Sequence, residues 1–341
     1  MWSLQHIQYA TIRAIANTSL YIKSSSYLSP STQPDLSKTY PTRPHLYACR
    51  IFFPKSHRES QSQSQNQSQK PKSLPLIIRA HGGGFVVNAP AADDILARRL
   101  SDTANCLVVS LDYSKSPQNK FPVAYEDVIA QSLSIIEDSE LPIDKSKVIL
   151  CGSSAGGNLL LAASSDPRLH SKLAGVISIY PVVDFAPGAA AKIATRPDPS
   201  VPDFIGESWD AIRSLYLPDS PADDQPSMND SRLSPAFFSS RRNFPPEVLL
   251  IGAEHDMFCS ELEDMAEKLA AGRPKVGLEG KAGWKAEGVR WYKVLGQAHA
   301  FEGFKGKTAE AEEERVKAVD GMVGCMVEWA GEVVVKGHGK Q

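Results

Sequence analysis

Along this chain, short apolar runs alternate with longer stretches of helical spacing. The runs at residues 76–80, 107–113, 148–151, 175–183 and 247–252 have the length and β-branched content of strands buried on both faces. A more mixed run at 289–295 and an early one at 47–53 are also rich in strand formers. Between them, residues near 93–104, 121–137 and 157–163 carry helix-compatible patterns. Strands alternating with helices predict the α/β class, with a mainly parallel sheet flanked by helices.

Three stretches depart from that alternation. At the start, Ile7, Ala10, Ile12, Ala14, Ile15 and Leu20 suggest an amphipathic helix that packs on another part of the molecule, followed by an irregular Ser/Thr/Pro-rich segment at 27–44. Residues 56–72 are nearly all Ser, Gln, Lys and Glu, which bury too little to offset ordering entropy, so a flexible surface loop is expected. About 60 residues, 184–246, separate two predicted strands that a dozen could join. That surplus contains Trp209, Ile212, Leu215, Tyr216, Phe237 and Phe238 among prolines, and predicts an insertion of short helices. With the N-terminal segment it would form a lid over the strand ends. The expected division is a lid segment at 1–45, a core at 46–185 and 241–335, and a lid insertion at 186–240.

Composition narrows the function classes. With 341 residues and 42% hydrophobic side chains the chain can bury a substantial core, and a soluble globular protein is expected. The 37 basic and 39 acidic side chains leave a net charge of -2, which disfavours nucleic acid as a partner. Cys49, Cys106, Cys151, Cys259 and Cys325 lie far apart without C-x-x-C spacing, as expected of buried free thiols in a reducing compartment. No run of about 18 apolar residues occurs, so no stable membrane insertion is expected. The first residues, Met1 to His6, lack a basic region followed by an apolar core, so the expected location is cytoplasmic.

Candidate chemistry centres on Gly152-Ser153-Ser154-Ala155-Gly156, between an apolar strand and a helix-prone segment. In that context G-x-S-x-G is a nucleophile elbow, which exposes the Ser154 hydroxyl at the strand's end. Two further residues stand just past the carboxyl ends of predicted strands, where open parallel sheets hold their ligands: Asp256 and His299. Taken alone, Asp256 reads more readily as a helix cap and His299 as a loop or core histidine. Together they complete the order Ser154, Asp256, His299, in which a neutral imidazole takes the serine proton and a carboxylate fixes the imidazole. Glu261 and Asp264 are alternative acids, ranked lower because they should lie on the following helix. His81-Gly82-Gly83-Gly84-Phe85 follows another strand, and three consecutive glycines there point to backbone amides facing an anion.

With these motifs, and with Asp112-Tyr113, Phe121-Pro122, Tyr180-Pro181 and His299-Ala300-Phe301, the sequence resembles the hormone-sensitive-lipase-like carboxylesterases of the α/β-hydrolase fold over about residues 76–304. The resemblance implies an oxyanion hole from the amides of Gly83, Gly84 and Ala155. It also implies a lid built from the N-terminus and an insertion after strand six. Two positions depart from the family pattern: Ser153 stands where an acidic residue is usual, and Ser114 where an arginine is usual.

The expected function is a serine hydrolase that cleaves carboxylic esters of small to medium apolar acyl groups through an acyl-enzyme. Its partner is a small-molecule ester; no metal or organic cofactor is implied, since no ligand cluster or dinucleotide fingerprint occurs. Alternatives on the same fold are a lactone hydrolase or acyltransferase of a specialised pathway, and a non-catalytic small-molecule receptor. Pocket apolarity is expected from the N-terminal helix and from Phe204, Trp209 and Tyr216.

Overall fold

A computed structural model describes residues 30–63, 72–203, 205–219 and 226–336. Its strands are β1 (Leu36–Lys38), β2 (Cys49–Phe52), β3 (Leu74–Ala80), β4 (Leu107–Leu111), β5 (Ile143–Ser153), β6 (Gly175–Ile179), β7 (Glu247–Ala253), β8 (Val276–Gly277), β9 (Gly283–Ala286) and β10 (Val289–Val294). They form one 10-stranded sheet in the order β1-β2-β4-β3-β5-β6-β7-β10-β9-β8. From β4 across to β10 every neighbouring pair is parallel, and antiparallel pairs close both edges.

The helices among the described residues are α1 (Lys55–Gln63), α2 (Asp94–Ala104), α3 (Val123–Ile136), α4 (Ala155–Ala163), α5 (Ala189–Ile193), α6 (Trp209–Tyr216), α7 (Cys259–Leu269) and α8 (Ala309–Lys336). Successive strand residues point to opposite sides, so each central strand feeds two cores. Leu76, Ile78, Leu150 and Leu250 join Ile129, Leu159 and Leu262 on one side. Ile77, Ile149, Ile177 and Ile251 join Ala97, Met322, Met326 and Trp329 on the other. Every residue of α4 is buried, and apart from Asn158 its residues are apolar or glycine, as a helix behind the central strand requires.

The strands at 76–80, 107–113, 148–151, 175–183, 247–252 and 289–295 are present with shifted ends, and the described residues between β6 and β7 form short elements. These are α5, α6 and 3-10 turns at Gly206–Ser208, Pro235–Phe237 and Arg241–Asn243. Two expectations are corrected. The segment 27–44, expected to be irregular, contains edge strand β1, held to β2 by backbone pairing that needs no apolar pattern. The stretch 56–72, expected to be a loop, begins inside α1. There His57 stacks on Phe53 at 4.9 Å and Arg58 pairs with Asp102 at 3.0 Å, so contacts at its start hold a helix that its composition alone would not. The predicted N-terminal helix lies outside the described residues.

Candidate active site

Ser154 sits between the end of β5 and the start of α4 with φ 53° and ψ -120°, a conformation that strains a residue with a Cβ. Backbone bonds hold it there: its amide donates to the Ile179 carbonyl at 2.8 Å, and its carbonyl accepts from the Asn158 amide at 2.9 Å. The turn is tight enough that a Cβ on Gly156 would overlap the carbonyl oxygens of Ala80 and His81. That contact explains why the last residue of the motif is glycine. Asn158, one turn along α4, donates to the carbonyls of Val182 and Leu233 at 2.8 and 2.9 Å, which ties the elbow to the insertion.

The three widely separated candidates meet at this point. His299 Nε2 is 2.8 Å from Ser154 Oγ, and His299 Nδ1 is 2.7 Å from Asp256 Oδ2. Asp256 follows β7 and His299 follows β10, and these strands are parallel neighbours, so both loops emerge at the same end of the sheet. The loops are joined directly, the His255 amide donating to the Gln297 carbonyl at 2.8 Å. Asp256 uses its second oxygen to accept from the Phe258 amide at 2.9 Å, so it serves both the histidine and the turn into α7. All three side chains are buried. Burial would lower the His299 pKa, but the charge and hydrogen bond of Asp256, with Asp203 behind it, raise it above the ordinary 6.5.

The alternative acids are engaged elsewhere or lie on the helix. Glu261 lies on α7, pairs with Lys192 and accepts from the Val183 amide at 2.8 Å. Asp264 is on the same helix. Asp203, which the sequence did not single out, reaches in from the insertion and accepts from the Met257 amide at 3.1 Å, next to Asp256.

The glycine loop leaves β3 above this array. Gly83 has φ 130° and its carbonyl accepts from the Val86 and Val87 amides at 3.0 Å; a Cβ there would strike the Val87 carbonyl oxygen. Beneath the loop, His81 is fully buried, donates from Nε2 to Asp112 Oδ1 at 3.2 Å, and stacks on Tyr113 at 4.6 Å. Here the Ser114 departure finds its explanation. The next residue, Lys115, is buried with Nζ 2.6 Å from Asp112 Oδ1 and 3.9 Å from the Tyr113 ring centroid, so a cation is supplied one position later. Burial alone would raise the Asp112 pKa; the His81 hydrogen bond and the Lys115 charge bring it down to about 2. Ser153 is likewise accommodated: the fully buried Arg79 donates to Ser153 Oγ at 3.3 Å, and finds its carboxylate in Asp93, 3.3 Å away.

A cavity of about 360 Å³ opens over Ser154 and His299. Gly83 and Gly84 line it, and Ala155 begins α4 immediately beside it, where helix amides lack intrahelical partners. Apolar contacts come from Val86, Val87, Ile205, Ile212, Leu215 and Phe304. Trp209 and Tyr216, expected on this wall, are instead packed behind it. Trp209 lies against Phe185 and Phe258, and Tyr216 stacks on Phe85 at 3.9 Å, because rings of that size fill the core beneath the insertion. Phe204 lies outside the described residues. The polar wall adds Asp93, Ser153, Tyr180 and Glu302; of these, the sequence offered for Glu302 only its place three residues after His299.

Fold and site together define a hydrolase mounted on a parallel sheet. A family profile described as alpha/beta hydrolase fold matches residues 77–283, and the chain belongs to that family. It is 27% identical to an arylesterase of Saccharolobus solfataricus over 67% of this chain and 68% of that protein. Among solved structures, a hyperthermophilic esterase of Pyrobaculum calidifontis superposes with a TM-score of 0.69 at 22% identity, covering 96% of this chain and 94% of its own. EstE1, a thermostable carboxylesterase from a metagenomic library, does so at 0.68 and 23%, covering 95% and 97%. No helix among the described residues is long and apolar enough to cross a membrane.

Proposed function

We propose that in this carboxylic ester hydrolase Ser154 is the nucleophile, His299 the general base and acid, and Asp256 the residue that orients the histidine. The observation that carries the reading is the unbroken hydrogen-bonded series from Ser154 Oγ through both His299 nitrogens to Asp256, opening on a cavity. Ser154 Oγ attacks the ester carbonyl as its proton passes to His299 Nε2. Asp256 accepts from Nδ1–H, fixing the tautomer and stabilising the imidazolium. The developing oxyanion is held by the amides of Gly83, Gly84 and Ala155. His299 then returns the proton to the departing alcohol, and a water activated by the same histidine releases the acid from the acyl-enzyme. The names of the arylesterase relative and the carboxylesterase neighbour support ester chemistry for this chain as well.

Small to medium apolar acyl groups suit the apolar wall and a volume near the lower end of small-molecule sites. Residues 186–240, with the N-terminal segment, act as a lid over the strand ends of a core at 46–185 and 241–335; Ile205, Ile212 and Leu215 on the cavity wall support this. A cytoplasmic location is supported by five free, buried cysteines. The test is a panel of p-nitrophenyl esters of graded acyl length with wild type and Ser154→Ala. A pre-steady-state burst in wild type and no hydrolysis by a folded Ser154→Ala protein are expected. Turnover by that variant at the wild-type rate would remove Ser154 from the mechanism.

A further inference from the structure

Arg241, Arg242 and Arg273 line one hollow of about 450 Å³, and none of the three forms an ion pair among the described residues. Elsewhere Arg50, Arg79, Arg168, Arg290 and Arg315 each meet a carboxylate. Arg241 is locked in place: Nη1 donates to the carbonyls of Phe244 and Pro245 at 3.1 and 2.7 Å, and Nη2 to those of Pro246 and Gly288 at 2.7 and 2.8 Å. Gly288 has φ 69°, and a Cβ there would lie 3.0 Å from Arg241 Nη2, so this approach requires glycine. Burial and the Arg273 charge pull the Arg241 pKa down to about 10; Glu247 opposes them weakly and is itself paired with Lys336 at 2.7 Å. Arg241 therefore supplies charge, and its neighbours supply the donors. Arg242 is exposed and its guanidinium makes no hydrogen bond, while Arg273 spends only Nη1, on the Leu269 carbonyl at 2.8 Å. The carboxylate on the rim, Glu287, is exposed and pairs with none of them.

We propose that this hollow binds a phosphoryl group carrying two or more negative charges. Three guanidinium groups against one carboxylate leave an excess of two positive charges, which a dianion balances and a monocarboxylate does not. Guanidinium groups also suit tetrahedral phosphoryl oxygens, which they can take in pairs through parallel N–H bonds. Like charges gathered without a counter-ion repel one another, so an anion bound among them stabilises the folded chain. Its position separates this site from the ester chemistry. Arg241 precedes β7 and Gly288 precedes β10, whereas Asp256 and His299 follow those parallel strands, so the 7 residues of β7 put the two sites about 20 Å apart. The proposal goes beyond the ester-hydrolase reading and stands without it.

The test is isothermal titration calorimetry of the full chain at low ionic strength with inorganic phosphate, pyrophosphate, phenyl phosphate and acetate. One pyrophosphate should bind per chain with a Kd below about 1 mM, and acetate should bind far more weakly. Phenyl phosphate binding more tightly than inorganic phosphate would support the proposal with an organic phosphate as the source, and equal binding would support it with the free ion. Arg242→Ala and Arg273→Ala should each weaken pyrophosphate binding by about tenfold, the worth of one charge-assisted hydrogen bond, and Glu287→Gln should strengthen it. Protein whose Ser154 carries an alkyl phosphonate should bind pyrophosphate as tightly as untreated protein. The proposal is overturned by no pyrophosphate binding at several millimolar, by acetate binding as tightly as pyrophosphate, or by wild-type affinity in both alanine variants. Loss of binding on phosphonylation also overturns it, by placing the anion in the catalytic cavity. Arg242 makes no side-chain bond in the folded chain, so its variant decides even if Arg273→Ala fails to fold. Failure of Ser154 to take the phosphonate would strike the hydrolase reading instead and leave the titrations standing.

Discussion

His299 Nε2 stands 2.8 Å from Ser154 Oγ although 145 positions separate the two in the chain. The contact exists because β5 and β10 end at the same edge of one sheet, and because each turn is held by backbone bonds rather than by the reacting side chains. A proton can move between these atoms without any large rearrangement, which makes the protonation state of His299 the first quantity to measure.

Activity should fall on acidification with a midpoint above 6.5. The Asp256 charge raises the His299 pKa, so the imidazolium, which cannot accept the serine proton, persists to a higher pH than in a free histidine. Asp256→Asn removes the charge that raises it. The midpoint should move down while kcat drops by up to about 10⁴-fold from loss of the correct tautomer. A kcat/KM profile that is flat from pH 5 to 8, with chemistry shown to be limiting, would contradict this role.

Lys115→Ala should lower stability by about 3–5 kcal/mol, since it leaves Asp112 buried beside a neutral pocket. The pH dependence follows from the sign of the Asp112 shift. Its folded pKa, about 2, is below the unfolded value, so its contribution is present above the unfolded pKa and is lost as pH falls toward 2. Urea unfolding at pH 7 and pH 3 should show the Lys115→Ala deficit shrinking in acid. An equal deficit at both pH values would mean that Lys115 acts by packing alone.

Gly83→Ala tests the glycine loop. The added methyl meets the Val87 carbonyl oxygen, so the loop must shift and misdirect the amides proposed to hold the oxyanion. Losing one such donor typically costs about 100- to 1,000-fold in kcat. The loss should appear in kcat, with KM changed much less; a rise in KM at constant kcat would assign the loop to substrate binding.

Ile212 lines the cavity against the glycine loop: a Cβ on Gly84 would lie 3.2 Å from its side chain. Ile212→Ala should widen the cavity and move the acyl optimum to longer chains, and Ile212→Trp should move it to shorter ones. Unchanged chain-length profiles in both variants would separate the insertion from acyl selection.

Much of this was legible in the sequence because it is local. The apolar runs at β3 to β7 mark strands buried on both faces, and the Gly152 to Gly156 motif reports a turn in which a Cβ has no room. Asp256 and His299 were found through their places after strands. The less legible parts depend on partners far away in the chain. Edge strand β1 is three residues held by pairing with β2 and by ion pairs of Lys38 with Asp138 and Glu140, and the β8–β9 edge likewise depends on partners distant in the chain. Helix α8 was not anticipated, although Met322, Cys325, Met326, Trp329 and Val333 recur at helical spacing and cover one face of the sheet. Trp209 and Tyr216 were expected to face the substrate, yet which side of a short helix faces the cavity is settled by Phe85, Phe185 and Phe258. Lys115 and Glu302 acquire meaning only once Asp112 and Tyr180 are beside them.

The most direct test is to trap the nucleophile. Wild-type protein treated with an alkyl fluorophosphonate and digested should carry one phosphonyl group, on the peptide containing Ser154, with hydrolysis lost in proportion to labelling. Ser154→Ala should remain folded and unlabelled. A label on any other residue, or labelling of the Ser154→Ala protein at the wild-type rate, would contradict the account.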